Sequence, residues 1–122
     1  MNINHIALKV GDLNVCEEFY SGLLGLPVVK RLNDDHGSIR SVWLKAGGVT
    51  LMLEKREKRG GLENPDGAGW HLVALDIAKE ERETWKKKLS AAGVKISNES
   101  EFSLYFKDPE GNRVALSSFE LG

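Results

Sequence analysis

His5-Ile6-Ala7-Leu8-Lys9-Val10 and Leu72-Val73-Ala74-Leu75-Asp76-Ile77 are the two stretches on which the fold turns. Apolar side chains alternate in both: Ile6, Leu8 and Val10 in the first, Val73, Leu75 and Ile77 in the second. Successive side chains on a strand point to opposite faces, so each stretch reads as a half-buried strand. A helical pattern follows each one. In the first, Asp12 caps a run whose Val15, Phe19 and Leu23 recur at i, i+4 and i+8 and which stops near Gly25 and Pro27. In the second, a run from about Lys79 carries Trp85, Leu89 and Ala92 on one face and ends at Gly93. Three strand-like runs come after each helix, at about 28–33, 38–45 and 49–54, then 94–98, 102–107 and 112–119. Turn-forming groups separate them: Asp34-Asp35-His36-Gly37, Gly47-Gly48, Asn98-Glu99-Ser100-Glu101 and Asp108-Pro109-Glu110-Gly111. Ser41-Val42-Trp43-Leu44-Lys45 aligns with Ser103-Leu104-Tyr105-Phe106-Lys107. The chain therefore reads as an α+β protein in which one βαβββ unit is written twice.

Working outward, the first module covers about 1–54, the second about 70–122, and a linker about 55–69 joins them into one domain. The linker is rich in Lys, Arg, Glu and Gly, carries Pro65 and has no apolar period, as expected of a mobile connector or a loop over a site. At 122 residues the whole is the size of a single domain, with 41% hydrophobic and 29% charged residues in a globular balance. Lys and Arg number 17 against 18 Asp and Glu, so the basic excess usual in nucleic-acid binders is missing. Cys16 is the single cysteine, which excludes an intrachain disulfide and any CxxC pair; on the first helix it reads as a small packing residue. The opening MNINHIALKV lacks the basic and long apolar runs of a signal peptide, and no segment is long enough to span a bilayer. A soluble cytoplasmic protein, with neither nucleic acid nor membrane as partner, is the expectation.

The combination of Asn4-His5-Ile6-Ala7-Leu8-Lys9-Val10, Asp12-Leu13, Phe19-Tyr20, Leu24-Gly25-Leu26-Pro27 and Asp108-Pro109-Glu110-Gly111-Asn112-Arg113 resembles the vicinal oxygen chelate superfamily. That superfamily includes glyoxalase I, the fosfomycin- and bleomycin-resistance proteins, extradiol dioxygenases and methylmalonyl-CoA epimerase. The resemblance covers nearly the whole chain. It implies one helix per module, with each module curling a mixed sheet into half of a cupped, partly open barrel. It also implies a homodimer, because two small chains commonly complete such a site together. It does not fix a reaction, since this fold hosts several chemistries.

In the catalytic members of the family a divalent ion sits inside the cupped sheets, on ligands from the first and last strands of each module. The first position corresponds to His5, which with Ala7 faces away from the helix. The matching position of the second module is Leu72, because Ala74-Leu75-Asp76-Ile77 aligns with Ala7-Leu8-Lys9-Val10. His71 falls one residue out of register and reads as a strand-end histidine, unless a bulge near Gly69-Trp70 re-aims it. The third position is Met52, with Glu54 two residues further along the same face. The fourth, after Asp-Pro-x-Gly-Asn-x-x, is Ala115. One ligand of four is present, and the expectation is a degenerate site that uses no metal.

The face that would have held the ion then becomes a small-molecule pocket, with His5, Thr50, Met52, Glu54, Leu72, Ala115 and Ser117 as the ligand-binding residues. Thr50 and Ser117 offer hydroxyls, Met52 an adaptable wall, and Glu54 and His5 a place for a cation or an acid–base pair. Ser103 and Tyr105 match anion-binding positions of the fosfomycin-resistance subgroup. That subgroup's cavity threonine is replaced by Ala7 and its glutamate ligand by Ala115, so its chemistry is not assigned. Two readings follow. One is a metal-free protein of the bleomycin-resistance type that sequesters a small amphipathic or partly cationic molecule. The alternative is a lyase, isomerase or dioxygenase of the glyoxalase type, dependent on one divalent ion held by His5, Glu54 and His71. An enzyme using His5 and Glu54 without a metal is a third, weaker possibility.

Overall fold

The computed structural model describes residues 1–56 and 70–120. The chain divides into two compact units, Met1–Gly61 and Leu62–Gly122. The linker reading falls, beyond Arg56, outside the described residues.

Unit one runs β1 (His5–Val10), α1 (Leu13–Glu17) with a π-helical continuation over Glu18–Leu23, β2 (Val28–Asn33), β3 (Ile39–Ala46) and β4 (Val49–Lys55). Its sheet has the order β1-β4-β3-β2, with β1 parallel to β4 and the other pairs antiparallel. Asp12 caps the helix as its sequence position requires: Oδ1 accepts from the Val15 N–H at 3.1 Å. The buried helical face differs from the i, i+4, i+8 expectation. Val15 is exposed, whereas Leu13, Cys16, Phe19, Tyr20 and Leu24 are buried. A π turn takes more residues per turn than an α turn, so the widening after Glu17 rotates the apolar stripe. The helix stops at Gly25, whose φ of 80° suits glycine. Val10, Val42, Leu44, Leu51 and Leu53 complete the core from the sheet side.

Unit two repeats this plan. β5 (Val73–Asp76) is followed by a 3₁₀ turn (Lys79–Glu81), α2 (Arg82–Ala91), β6 (Asn98–Glu99), β7 (Ser103–Lys107) and β8 (Arg113–Ser117). The order β5-β8-β7-β6, with β5 parallel to β8, is the topology of unit one. The α+β class and the doubled βαβββ unit are as read, and neither sheet closes into a barrel. The sixth strand is shorter than expected: only Asn98–Glu99 pairs with β7, preceded by a bond from the Ser97 N–H to the Tyr105 carbonyl at 2.8 Å. Leu89, Leu104, Phe106, Val114 and Leu116 form the core. Leu89 is buried as its helical spacing predicts, Trp85 is half-buried, and Ala92 is exposed. Arg82 and Lys86, at 3.2 and 3.0 Å from the Glu99 carboxylate, tie α2 to β6. Lys86 first, then Arg82, hold that carboxyl below its ordinary range. The tie therefore contributes above the unfolded carboxyl pKa and is lost as pH falls through the folded one. Among the described residues no helix is long and apolar enough to cross a membrane.

Candidate functional site

Register places the side chains of each sheet in rows, because directly opposed residues share a face. On unit one the face turned away from the helix carries three rows. His5 lies beside Thr50 and Lys45; Ala7 beside Met52, Trp43 and Lys30; Lys9 beside Glu54, Ser41 and Leu32. His5, Thr50, Met52 and Glu54 thus share a face, as the alternation predicts. They are not all neighbours. Glu54 lies four residues along β4 from Thr50, about 13 Å at a strand's rise per residue.

Glu54 is also engaged. Its Oε1 accepts from the Ser41 hydroxyl at 2.8 Å, and Ser41 Oγ accepts from Trp43 Nε1 at 2.8 Å. Ser41 is fully buried, so this relay holds Trp43 and Glu54 in fixed positions. The Lys30 ammonium sits 5.2 Å from the Trp43 ring centroid, a cation–π arrangement. His5 is held differently. Its Nδ1 donates to Asn4 Oδ1 at 2.8 Å, and the ring stands on an exposed residue of an edge strand.

On unit two the corresponding rows are Asp76, Ser117 and Ser103; Ala74, Ala115, Tyr105 and Asn98; then Arg113 with Lys107. Ser117 Oγ accepts from the Ser103 hydroxyl at 2.8 Å and from the Phe119 N–H at 3.1 Å. Ala115 is 1% exposed and directly opposite Tyr105. β5 begins at Val73, so strand parity does not extend to His71; this histidine is exposed. His71 and Leu72 both line a cleft of about 460 Å³ with Asn98, Tyr105, Lys107 and Arg113. Lys107 and Arg113 were missed in the sequence. Their signal was present, since they flank the turn Asp108–Asn112 and must meet across the hairpin that it closes.

Among the described residues no three or more His, Cys, Asp or Glu side chains converge into a metal cage. His5 has one ring nitrogen engaged, Nδ1 on Asn4 Oδ1. With Nδ1 bound to an acceptor, Nε2 keeps its lone pair, which is how outer partners orient metal-binding imidazoles.

Two βαβββ units with open mixed sheets define a glyoxalase-type α+β protein. The chain belongs to the Glyoxalase/Bleomycin resistance protein/Dioxygenase superfamily, whose pattern matches residues 2–116. This is the vicinal oxygen chelate resemblance read from the motifs. The chain is 32% identical over 118 residues to the glutathione transferase FosA of Serratia marcescens, covering 94% of this chain and 79% of that protein. It is 26% identical over 122 residues to the metallothiol transferase FosB of Staphylococcus epidermidis, covering 94% and 80%. In fold it is similar to the fosfomycin resistance protein FosX of Listeria monocytogenes, solved with Mn(II) and 1S,2S-dihydroxypropylphosphonic acid. There the TM-score is 0.79 at 21% identity, over 98% of this chain and 94% of the other.

These relatives correct the expectation that no cofactor is used. FosB is by name a metal protein, and the FosX structure holds Mn(II). Counting ligands by strand position was misleading. An ion is held by donors that converge in space, and those include water and substrate oxygens as well as side chains.

Proposed function

We propose that the chain is a small-molecule-binding member of the glyoxalase superfamily that takes its ligand together with one divalent ion, with His5 as a ligand to that ion. The observation that carries this reading is the His5–Asn4 pair, which presents Nε2 on an exposed face. Glu54, bonded to Ser41 and beside Lys9, serves the neighbouring wall with Thr50, Met52 and Trp43. The other donors around the ion are then water or oxygens of the ligand. When bound, such an ion supplies Lewis acidity toward those oxygens. Leu72, Ala115 and Ser117 belong to the same reading as pocket residues of unit two. It extends to a cytoplasmic homodimer, as is common among small members, for which light scattering should return twice the 13.5 kDa chain mass.

Metal analysis of tag-free protein tests it, with Mn²⁺, Ni²⁺, Zn²⁺ and Fe²⁺ added back separately. One equivalent should bind in the wild type. Affinity should fall at least about tenfold in His5→Ala, and by about tenfold in Asn4→Ala, which removes only the orienting partner. Equal uptake by wild type and His5→Ala, or no uptake at all, would end the reading.

A second reading, catalysis, is favoured by the 32% identity to a glutathione transferase over 94% of the chain. It covers thiol transfer as well as glyoxalase-type lyase, isomerase or dioxygenase chemistry. Incubation with glutathione, fosfomycin and Mn(II) tests the thiol-transfer form: a transferase consumes both reactants, and fosfomycin returned unchanged excludes it.

A further inference from the structure

The geometry points to an anion-binding site in the cleft of unit two, built on Arg113 and Lys107, so that the small molecule carries an oxyanion such as a phosphate, phosphonate or carboxylate. This rests on the reading of the chain as a small-molecule-binding protein and gives the ligand its charge. Arg113 and Lys107 are directly opposite each other on β8 and β7. Like charges in that arrangement repel, and an anion bound between them removes the repulsion. Both line the cleft of about 460 Å³, together with His71, Asn98, Ser100 and Tyr105. That volume lies within the usual range for a small-molecule site.

Among the described residues none that lines the cleft is acidic. Two carboxylates that adjoin lining residues in the sequence are used elsewhere. Glu99 pairs with Arg82 and Lys86, and Asp108 accepts from the N–H groups of Glu110 and Asn112 and from the Asn112 amide. Among the described residues neither Arg113 nor Lys107 has an ion-pair partner. The formal charge of the whole chain is -1, so this concentration of cations is local. A guanidinium can grip two oxygens of one oxyanion while the ammonium supplies a point charge beside it. The expectation of a partly cationic ligand rested on Glu54, which belongs to the other unit and is bonded to Ser41.

The test uses full-length, tag-free protein stripped of metal on a chelating resin. It is titrated calorimetrically at low ionic strength with inorganic phosphate, methylphosphonate and acetate. Saturable binding of at least one anion is expected, weaker by about tenfold in Arg113→Gln and further in the double variant with Lys107→Gln. Lys95→Gln, an exposed lysine outside the cleft, should bind as the wild type does. Preference for the two tetrahedral anions, or for acetate, identifies the headgroup and supports the site either way. Unchanged affinity in the double variant, or no saturable binding of any of the three, overturns the proposal. Should Arg113→Gln not fold, Lys107→Gln alone carries the same test at an exposed position. No metal is present, so loss of the His5 reading leaves this result standing, and the reverse also holds.

Discussion

Leu53→Ala is expected to lower stability by about 2–5 kcal/mol, a large part of the roughly 5–15 kcal/mol of a typical domain. Leu53 is fully buried at the middle of unit one, on the strand that β1 and β3 both flank, with Leu8 and Val42 as its register partners. Truncation removes buried apolar surface and leaves a cavity that three strands and α1 cannot easily collapse around. Urea unfolding should show the lower midpoint, and amide exchange should accelerate over β1, β3 and β4. Val29→Ala, at a residue 55% exposed, serves as control and should change stability by no more than about 0.5 kcal/mol. A Leu53→Ala loss as small as the control's would mean that β4 is not the centre of that core.

Asp108→Ala should cost about 2–4 kcal/mol and should also impair anion binding. The Asp108 carboxylate is 5% exposed and organises the whole turn between β7 and β8. Oδ1 accepts from the N–H groups of Glu110 and Asn112 at 2.9 and 2.8 Å, and Oδ2 accepts from Asn112 Nδ2 at 2.8 Å. Removing it strands two backbone donors, each worth about 1–3 kcal/mol when left unsatisfied. The turn sets the register that puts Lys107 opposite Arg113, so a loosened turn separates the two cations. Asp108→Asn keeps an acceptor oxygen and should lose about half as much. Stability and phosphate affinity unchanged in Asp108→Ala would show that the hairpin is held by its strands alone.

Much of the fold was legible because strand alternation is a strong local signal. His5–Val10 and Val73–Asp76 lie within a residue or two of the stretches read from pattern, and their internal alignment predicted matching sheet topologies. The first helix was legible in position but not in phase. A π turn changes which residues share a face without changing residue types, so Val15 read as buried and is exposed. His71 shows the limit of register arguments, since parity applies only while the chain is a strand and β5 starts at Val73. Glu54 could not be paired from sequence, because Ser41 meets it only across the β3–β4 ladder. Lys107 and Arg113 were readable in principle from the turn between them. The search was for metal donors, and the charge of the pocket was passed over. Site and cofactor depend on convergence in space, which alternation along one strand does not report.

Cys16 lies on α1 with no exposure to solvent, the sole sulfhydryl in the chain. Its environment gives the molecule a built-in clock. A thiol reagent reaches this sulfur only when the first unit breathes open, so the labelling half-life in native buffer measures how often that unit opens. Ligands, ions or substitutions that tighten the first half will lengthen it, with no probe to engineer.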